Sequence, residues 1–205
     1  MPGAAPRTDT PPTAPPAITP SPTPTGEPDP AGETAPPESP PPAAGADDGL
    51  LSVPYHGETK LLEAGRQRYA LRESPPLTFT LVVPVEGVTA AYVDNAWRFT
   101  LDAEPDAAFL ELSLISGADA DSLLPSLMDA YLDFTDIEFS TAAAIGAESL
   151  PTGTVTASSG ERLVRAWLAD VEGGALCAVL DTALASPGEA AATLEAMLNR
   201  FALEK

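Results

Sequence analysis

The stretch that decides the fold runs from residue 88 to residue 115 and reads Val88-Thr-Ala-Ala-Tyr-Val-Asp-Asn-Ala-Trp-Arg-Phe-Thr-Leu-Asp-Ala-Glu-Pro-Asp-Ala-Ala-Phe-Leu-Glu-Leu-Ser-Leu-Ile115. Within it, Trp97-Arg-Phe-Thr-Leu-Asp102 and Leu110-Glu-Leu-Ser-Leu114 alternate apolar with polar residues, which is typical of strands with one buried face. Asp94-Asn95 and Ala103-Glu-Pro-Asp106 interrupt the alternation with turn-forming residues. Residues 88–115 are therefore predicted to form a three-stranded antiparallel meander.

Similar patterns lie on both sides of this stretch. Leu77-Thr-Phe-Thr-Leu81 is predicted to be a strand, and residues 60–63 are predicted to pair with residues 66–71 in a hairpin around Ala64-Gly65. Residues 152–157, 162–171 and 175–183 are broken by Ser158-Ser-Gly-Glu161 and Glu172-Gly-Gly174, which predicts a second antiparallel meander.

Two segments have the helical period instead. After Asp121, read as an N-cap, apolar residues recur every three or four positions, and Pro125 is placed in the first turn. The stripe consists of Leu124, Leu127, Met128, Tyr131 and Leu132. Ser186-Pro-Gly-Glu189 has the form of a capping box and predicts a C-terminal helix over about residues 187–202. Its apolar stripe consists of Leu194, Met197, Leu198 and Phe201.

The order of elements, strands then helix then strands then helix, predicts an α+β fold: an antiparallel β-sheet of two meanders packed by two α-helices. Residues 1–48 hold 16 of the 24 prolines, and their only large apolar side chains are Met1 and Ile18. Such a segment cannot bury a core, so it is predicted to be a disordered Pro/Thr/Ala-rich tether. Residues 49–205 are predicted to form a single α+β domain.

The charge balance argues against nucleic acid as a partner. The chain has 10 Lys and Arg against 30 Asp and Glu, and no cation lies between Arg98 and Arg162. The clustered cations Lys60, Arg66, Arg68 and Arg72 alternate with carboxylates, which is typical of a salt-bridged solvated face. Cys177, the single thiol, stands in an apolar strand-like setting and is predicted to be buried and inert.

The sequence offers few groups for catalysis. His56 is the only histidine and is expected to be exposed at the start of the domain, and no nucleophile, phosphate-loop or zinc motif accompanies it. The carboxylates from Asp102 to Asp121 resemble a calcium loop at their start, but Ala107 and Ser113 replace its glycine and its bidentate glutamate. No catalytic residue, cofactor or metal is therefore predicted.

A partner site is predicted only conditionally. Trp167 and Arg165 share one face of a predicted strand, and burial of Trp167 is favoured about two to one because helices are expected to cover the sheet. If Trp167 is exposed instead, Trp167 and Arg165 become the anchors of a partner interface.

The chain begins without a basic region and hydrophobic run, and no segment approaches 18 consecutive apolar residues. Two explanations stay open: an intracellular protein, or a longer protein in which a signal and an anchor precede Met1. The second is favoured, because a long tether before a compact domain suits a protein that stands away from a surface.

The order of elements over residues 77–203 resembles the PsbP-like fold, which an extrinsic photosystem II protein, a Ran-binding nuclear import factor and many bacterial envelope lipoproteins share. The cues are Phe109-Leu-Glu-Leu-Ser-Leu114 ending a meander, a helix after it, Pro151-Thr-Gly-Thr-Val-Thr156, the pair around Glu172-Gly-Gly174, and the closing helix. The family's frequent Tyr-Pro-x-x-Trp feature is absent. The resemblance implies a binding or assembly module and supplies no catalytic residue.

Three functions follow as hypotheses. The first is a monomeric, non-enzymatic module on the outer face of a bacterial cell envelope. It binds an unknown protein or other extracellular ligand through its sheet edge or turns, and it is attached to the membrane only through an anchor before Met1. The second is a hydrolase that uses the carboxylates from Asp102 to Asp121, which requires them to converge in a pocket. The third is an intracellular acidic adaptor whose proline-rich tail is the ligand.

Overall fold

The structure is a computed structural model and describes residues 49–73, 75–185 and 188–204. These residues form eleven strands and two helices. In chain order they are β1 (Leu50–Tyr55), β2 (Glu58–Leu71), β3 (Leu77–Pro84), β4 (Val88–Val93), β5 (Ala96–Leu101), β6 (Ala108–Ser116), α1 (Ala120–Asp129), β7 (Asp136–Ile145), β8 (Leu150–Ser158), β9 (Arg162–Val171), β10 (Gly174–Ala183), α2 (Glu189–Leu198) and β11 (Ala202–Leu203).

A seven-stranded antiparallel sheet contains both predicted meanders. Its strand order is β4-β5-β6-β10-β9-β8-β7, so β4-β5-β6 and β10-β9-β8 are the two meanders, joined where β6 pairs with β10. Asp94 and Asn95, with φ angles of 51° and 64°, form the turn between β4 and β5 as predicted. The sequence did not predict β7, which pairs with β8.

A separate four-stranded sheet has the order β1-β2-β3-β11. The hairpin predicted around Ala64-Gly65 is wrong, because β2 continues through both residues and pairs with β3 there. The chain reverses instead at His56-Gly57, where both residues have positive φ, and β1 pairs with β2 across that turn. A two-residue turn of this kind matches the twist of the flanking strands, whereas Gly65 stays extended opposite Val83.

Aromatic side chains join the two sheets in the main core. The ring of Tyr69 on β2 lies 5.6 Å from Phe79 on β3, 4.9 Å from Trp97 and 5.1 Å from Phe99 on β5. Trp97 Nε1 donates a hydrogen bond of 2.9 Å to the Ala70 carbonyl. The polar atom of the indole is thus satisfied while its ring packs between the sheets.

Helix α2 closes this core and contacts β1 and β3 of the smaller sheet and β6 and β10 of the larger one. Leu194, Met197 and Leu198 are buried, as the stripe predicts. The predicted end at residue 202 is wrong: α2 ends at Leu198, Phe201 enters the core, and Ala202–Leu203 pair with β3. Residues 186 and 187 of the predicted capping box lie outside the described residues, and Gly188 is the N-cap.

Helix α1 packs on the other face of the larger sheet, against β8, β9 and β10. Its N-cap is Asp119, not Asp121, because the Asp119 carboxylate accepts a hydrogen bond of 2.8 Å from the Ser122 N–H. Pro125 consequently falls in the second turn instead of the first. The predicted stripe also extends too far, since the helix ends at Asp129, before Tyr131 and Leu132.

Antiparallel sheets with two helices are confirmed, but the prediction of one sheet is wrong: there are two, and strands dominate the fold. The predicted tether, residues 1–48, lies outside the described residues. Within the described ranges, neither helix is long and apolar enough to span a membrane.

Candidate interaction surface

His56 lies at the tip of the β1–β2 turn, exposed to solvent, with its ring 4.1 Å from that of Tyr55. The exposure matches the prediction. No group of three or more His, Cys, Asp or Glu side chains suited to a metal ion occurs among the residues that the structure describes. His56 therefore serves as one of the two positive-φ residues of the β1–β2 turn.

Asp102 and Asp119, near the two ends of the region predicted for a hydrolase, lie beyond opposite ends of β6. Asp102 stands before β6 and Asp119 after it, and the nine residues of this extended strand separate them by roughly 26 Å. Each makes a local bond: Asp102 accepts a 2.6 Å hydrogen bond from the Thr89 hydroxyl, and Asp119 caps α1. Asp102 and Asp119 therefore do not belong to one carboxylate site.

Cys177 on β10 is buried, as predicted, in a small cluster with Ala120, Leu168 and Ala175 beneath α1. Burial raises the pKa of the thiol to about 11, and the nearby Glu111 carboxylate adds to the rise. At neutral pH the group is a protonated thiol with little nucleophilic character.

Trp167 belongs to the main core and is 8% exposed. The exposure that the partner-site prediction requires is therefore missing, because the strand face of Trp167 is the one that α2 covers. Arg165 on the same face donates two hydrogen bonds of 2.7 Å to the Glu195 carboxylate of α2, and its Cζ atom lies 5.7 Å from the Trp167 ring centroid. Arg165 therefore joins α2 to the sheet, and Trp167 is buried in the main core, as the sequence favoured.

The predicted salt-bridged face around residues 60–72 uses partners that are distant in sequence. Lys60 pairs with Glu189 of α2, and Arg68 Nε lies 2.5 Å from Glu204. The Arg72 guanidinium stacks over the Tyr92 ring at 4.9 Å. These contacts connect the smaller sheet to the C-terminal segment and to β4.

Two open hollows are present in the described surface. One, about 270 Å³, is lined by Arg68, Pro75, Pro76, Leu77, Thr78, Glu172 and Glu204. The other, about 550 Å³, is lined by residues 160–162 and 183–185. The first gathers two carboxylates, but Glu204 is already paired with Arg68, and neither hollow contains His56, Cys177 or a residue of the Asp102 to Asp121 region.

The edges of the sheets differ in how they are protected against further strand pairing. Proteins protect exposed edges with proline, charge, bulges or short strands. β1 carries Pro54, β11 has two residues, and β7 has a register shift after Ser140 and carries Asp136 and Glu138. β4 has none of these features: its six residues, Val88-Thr-Ala-Ala-Tyr-Val93, are uncharged and pair in continuous register with β5.

The direction of the β4 backbone groups follows from one hydrogen bond. The Gly87 carbonyl accepts a 3.0 Å bond from the Asp102 N–H, so Gly87 and Asp102 form a hydrogen-bonded pair. Such pairs alternate along an antiparallel ladder, which makes Thr89, Ala91 and Val93 the β4 residues that bond to β5. The backbone groups of the other three, Val88, Ala90 and Tyr92, consequently point away from β5.

The outward backbone groups of β1 can be assigned in the same way, and here one of the outward positions is a proline. The Gly49 carbonyl accepts a bond from the Ala64 N–H, which places Leu50, Ser52 and Pro54 at the positions whose backbone groups face outward. Proline has no N–H, so this edge lacks one of its outward donors. The outward residues of β4 all keep theirs, and Ala90 at the centre is exposed.

Comparisons with protein-family models, curated proteins and solved structures return no match. The resemblance to the PsbP-like fold consequently stays a prediction. Sequence reasoning did not single out β4 as an interaction site, although the run of six uncharged residues was visible within the predicted meander.

Proposed function

We propose that this chain is a non-enzymatic binding module that accepts an extended segment of a partner protein at the edge of β4. The observation that carries the proposal is the contrast between β4 and the other three described edges. An added strand would reach three outward N–H and three outward C=O groups, which are those of Val88, Ala90 and Tyr92. In strand addition of this kind, main-chain hydrogen bonds provide much of the affinity.

The proposal places the module on the outer face of a bacterial cell envelope. Support comes from the composition of residues 1–48, with 16 prolines and a net charge of −6, which suits a solvated spacer between an anchor and a folded domain. The partner is then a protein or peptide present outside the cell.

The experiment compares three immobilised proteins exposed to the envelope proteins of the source bacterium. Ala90→Pro removes the central outward N–H, while Ala90→Ser keeps it and serves as the matched control. A partner that wild type and Ala90→Ser retain and Ala90→Pro loses supports docking at β4. A partner retained equally by all three refutes docking at this edge.

A further inference from the structure

Both ends of β4 carry a carboxylate. Glu86 precedes the strand and Asp94 follows it, both are exposed, and neither pairs with a cation in the part of the chain that the structure describes. The nearby cations are already engaged: Arg72 stacks on Tyr92, and Arg98 Nη2 lies 2.6 Å from Glu111. The uncharged edge is therefore bounded by two free negative charges.

The register of an added strand follows from the outward groups. In antiparallel addition, three alternate residues of the incoming segment bond to Tyr92, Ala90 and Val88 in turn. The chain turns at Gly87 and at Asp94, where φ is 80° and 51°, so strand pairing stops at the ends of β4. Incoming residues one step of two beyond the paired ones extend past these turns, on the side of the Asp94 and Glu86 carboxylates. The incoming segment is thus about nine residues long, with its first and ninth positions beside the two carboxylates.

A second copy of this chain fits the edge poorly. If β4 pairs with its own copy so that all the outward groups of both strands bond, Ala90 lies opposite Ala90 of the other copy. The turn that carries Asp94 in one copy then meets the turn that carries Glu86 in the other, at both ends of the pairing. Like charges brought together destabilise a strand pair, and residues 49–205 already carry a net charge of −14.

On these grounds, which rest on the proposed function, we infer that the β4 edge is selective for one kind of extended segment of a partner protein. That segment has an uncharged stretch of about seven residues with a cationic residue at each end. Lysine or arginine at the two ends pairs with Asp94 and Glu86. The residue opposite Tyr92 is favoured when it is aromatic or β-branched, because such cross-strand pairs stabilise sheets.

The test uses synthetic nine-residue peptides with the full chain. The first has Lys at both ends and alternating Thr and Val between them; the second has Glu at both ends with the same interior. A third repeats the lysine peptide with alternate backbone nitrogens methylated, so that it cannot pair. Binding is measured by fluorescence anisotropy at low and at high salt, with wild type, Glu86→Gln/Asp94→Asn and Ala90→Pro.

The expected result is that the lysine peptide binds wild type about three- to tenfold more tightly than it binds Glu86→Gln/Asp94→Asn, and that this difference shrinks at high salt. The glutamate peptide binds wild type more weakly than the lysine peptide does. Methylation of the peptide backbone, or the Ala90→Pro substitution in the protein, abolishes binding.

Equal binding of the lysine and glutamate peptides, with loss of binding in Ala90→Pro, overturns the charge selectivity and leaves strand addition standing. Binding of the lysine peptide that survives Ala90→Pro or backbone methylation overturns strand addition itself, and so does no binding of either unmethylated peptide to wild type. A wild-type dimer that Ala90→Pro converts to monomer overturns the choice of a cationic partner over a second copy.

Discussion

Proline substitution at two adjacent alanines tests the orientation of β4 in the fold. The Ala91 N–H bonds to the Arg98 carbonyl on β5, whereas the Ala90 N–H points away from the sheet. Ala91→Pro removes that ladder bond and leaves a carbonyl unpaired, which costs about 1–3 kcal/mol, and the ring also crowds β5. Ala90→Pro removes no bond within the fold and should change the free energy of unfolding by less than about 1 kcal/mol.

Urea denaturation, followed by the fluorescence of the two tryptophans, measures both changes. A difference of about 2 kcal/mol between the variants corresponds to roughly 4–8 °C in Tm for a domain of this size. Circular dichroism of Ala90→Pro provides the control that the sheets persist. Equal destabilisation by the two substitutions, or a larger loss in Ala90→Pro, would refute the assigned orientation and with it the outward bonding groups.

Three further predictions concern the fold. In thermal denaturation, Gly146→Ala should destabilise the fold by about 1–3 kcal/mol more than Gly117→Ala. Both glycines have positive φ, but only at residue 146 would an added Cβ atom lie 2.3 Å from the Phe201 carbonyl oxygen. Equal losses of stability in the two variants would contradict this close approach. Asp119→Ala should lower the free energy of unfolding by about 1 kcal/mol in urea denaturation, because it removes the N-cap of α1. The control Asp121→Ala should lower it less. Because the pKa of Cys177 rises from 9.0 to about 11, the unfolded thiol loses its proton first, and stability should fall above about pH 9. By pH 11 the Cys177 contribution to this fall is at most about 2–3 kcal/mol, so Cys177→Ala should show a shallower alkaline decline; a decline identical to that of wild type would contradict the assignment.

β5 and β6 were predictable because apolar and polar residues alternate along their sequences, and β6 alternates buried with half-buried residues along most of its length. β9 and β10 are buried on both faces, and they were predictable because Ser158-Ser-Gly-Glu161 and Glu172-Gly-Gly174 mark where they begin and end. β1 and β7 were missed for local reasons too. Pro54 interrupts the β1 segment, and the second half of β7, Thr141-Ala-Ala-Ala-Ile145, lacks a clear alternation. Small residues contribute little to a periodic signal even where the backbone pairs.

The position of each strand in the sheets was not predictable, because it depends on pairings between distant residues. β6 pairs with β10, and this contact places β4 at one edge of the larger sheet. The same limit applies to Trp167. Its alternation with Leu168 shows that the two side chains point to opposite faces, but only the fold shows what covers each face: Trp167 lies in the main core with residues of α2, and Leu168 lies beneath α1.

The candidate site depends on this long-range information. The sequence predicts that the module binds through a sheet edge or a turn, yet an edge can be named only when the strand order is known. The direction of the Ala90 backbone groups requires a further detail, the bond from Asp102 to the Gly87 carbonyl. The carboxylates Glu86 and Asp94 were visible in the sequence, but they can be assigned to the ends of an open edge only when the pairing of β4 with β5 is known.

The most direct test of strand addition is amide hydrogen exchange of β4, residue by residue, by NMR, with and without the lysine-ended peptide. In the free protein, the amides of Thr89, Ala91 and Val93 should exchange slowly, and those of Val88, Ala90 and Tyr92 should exchange fast. The peptide should slow exchange at Val88, Ala90 and Tyr92, because these amides gain hydrogen bonds. Protection that appears elsewhere in the fold, or no added protection of these three amides at saturating peptide, would contradict the proposal that β4 is the docking edge.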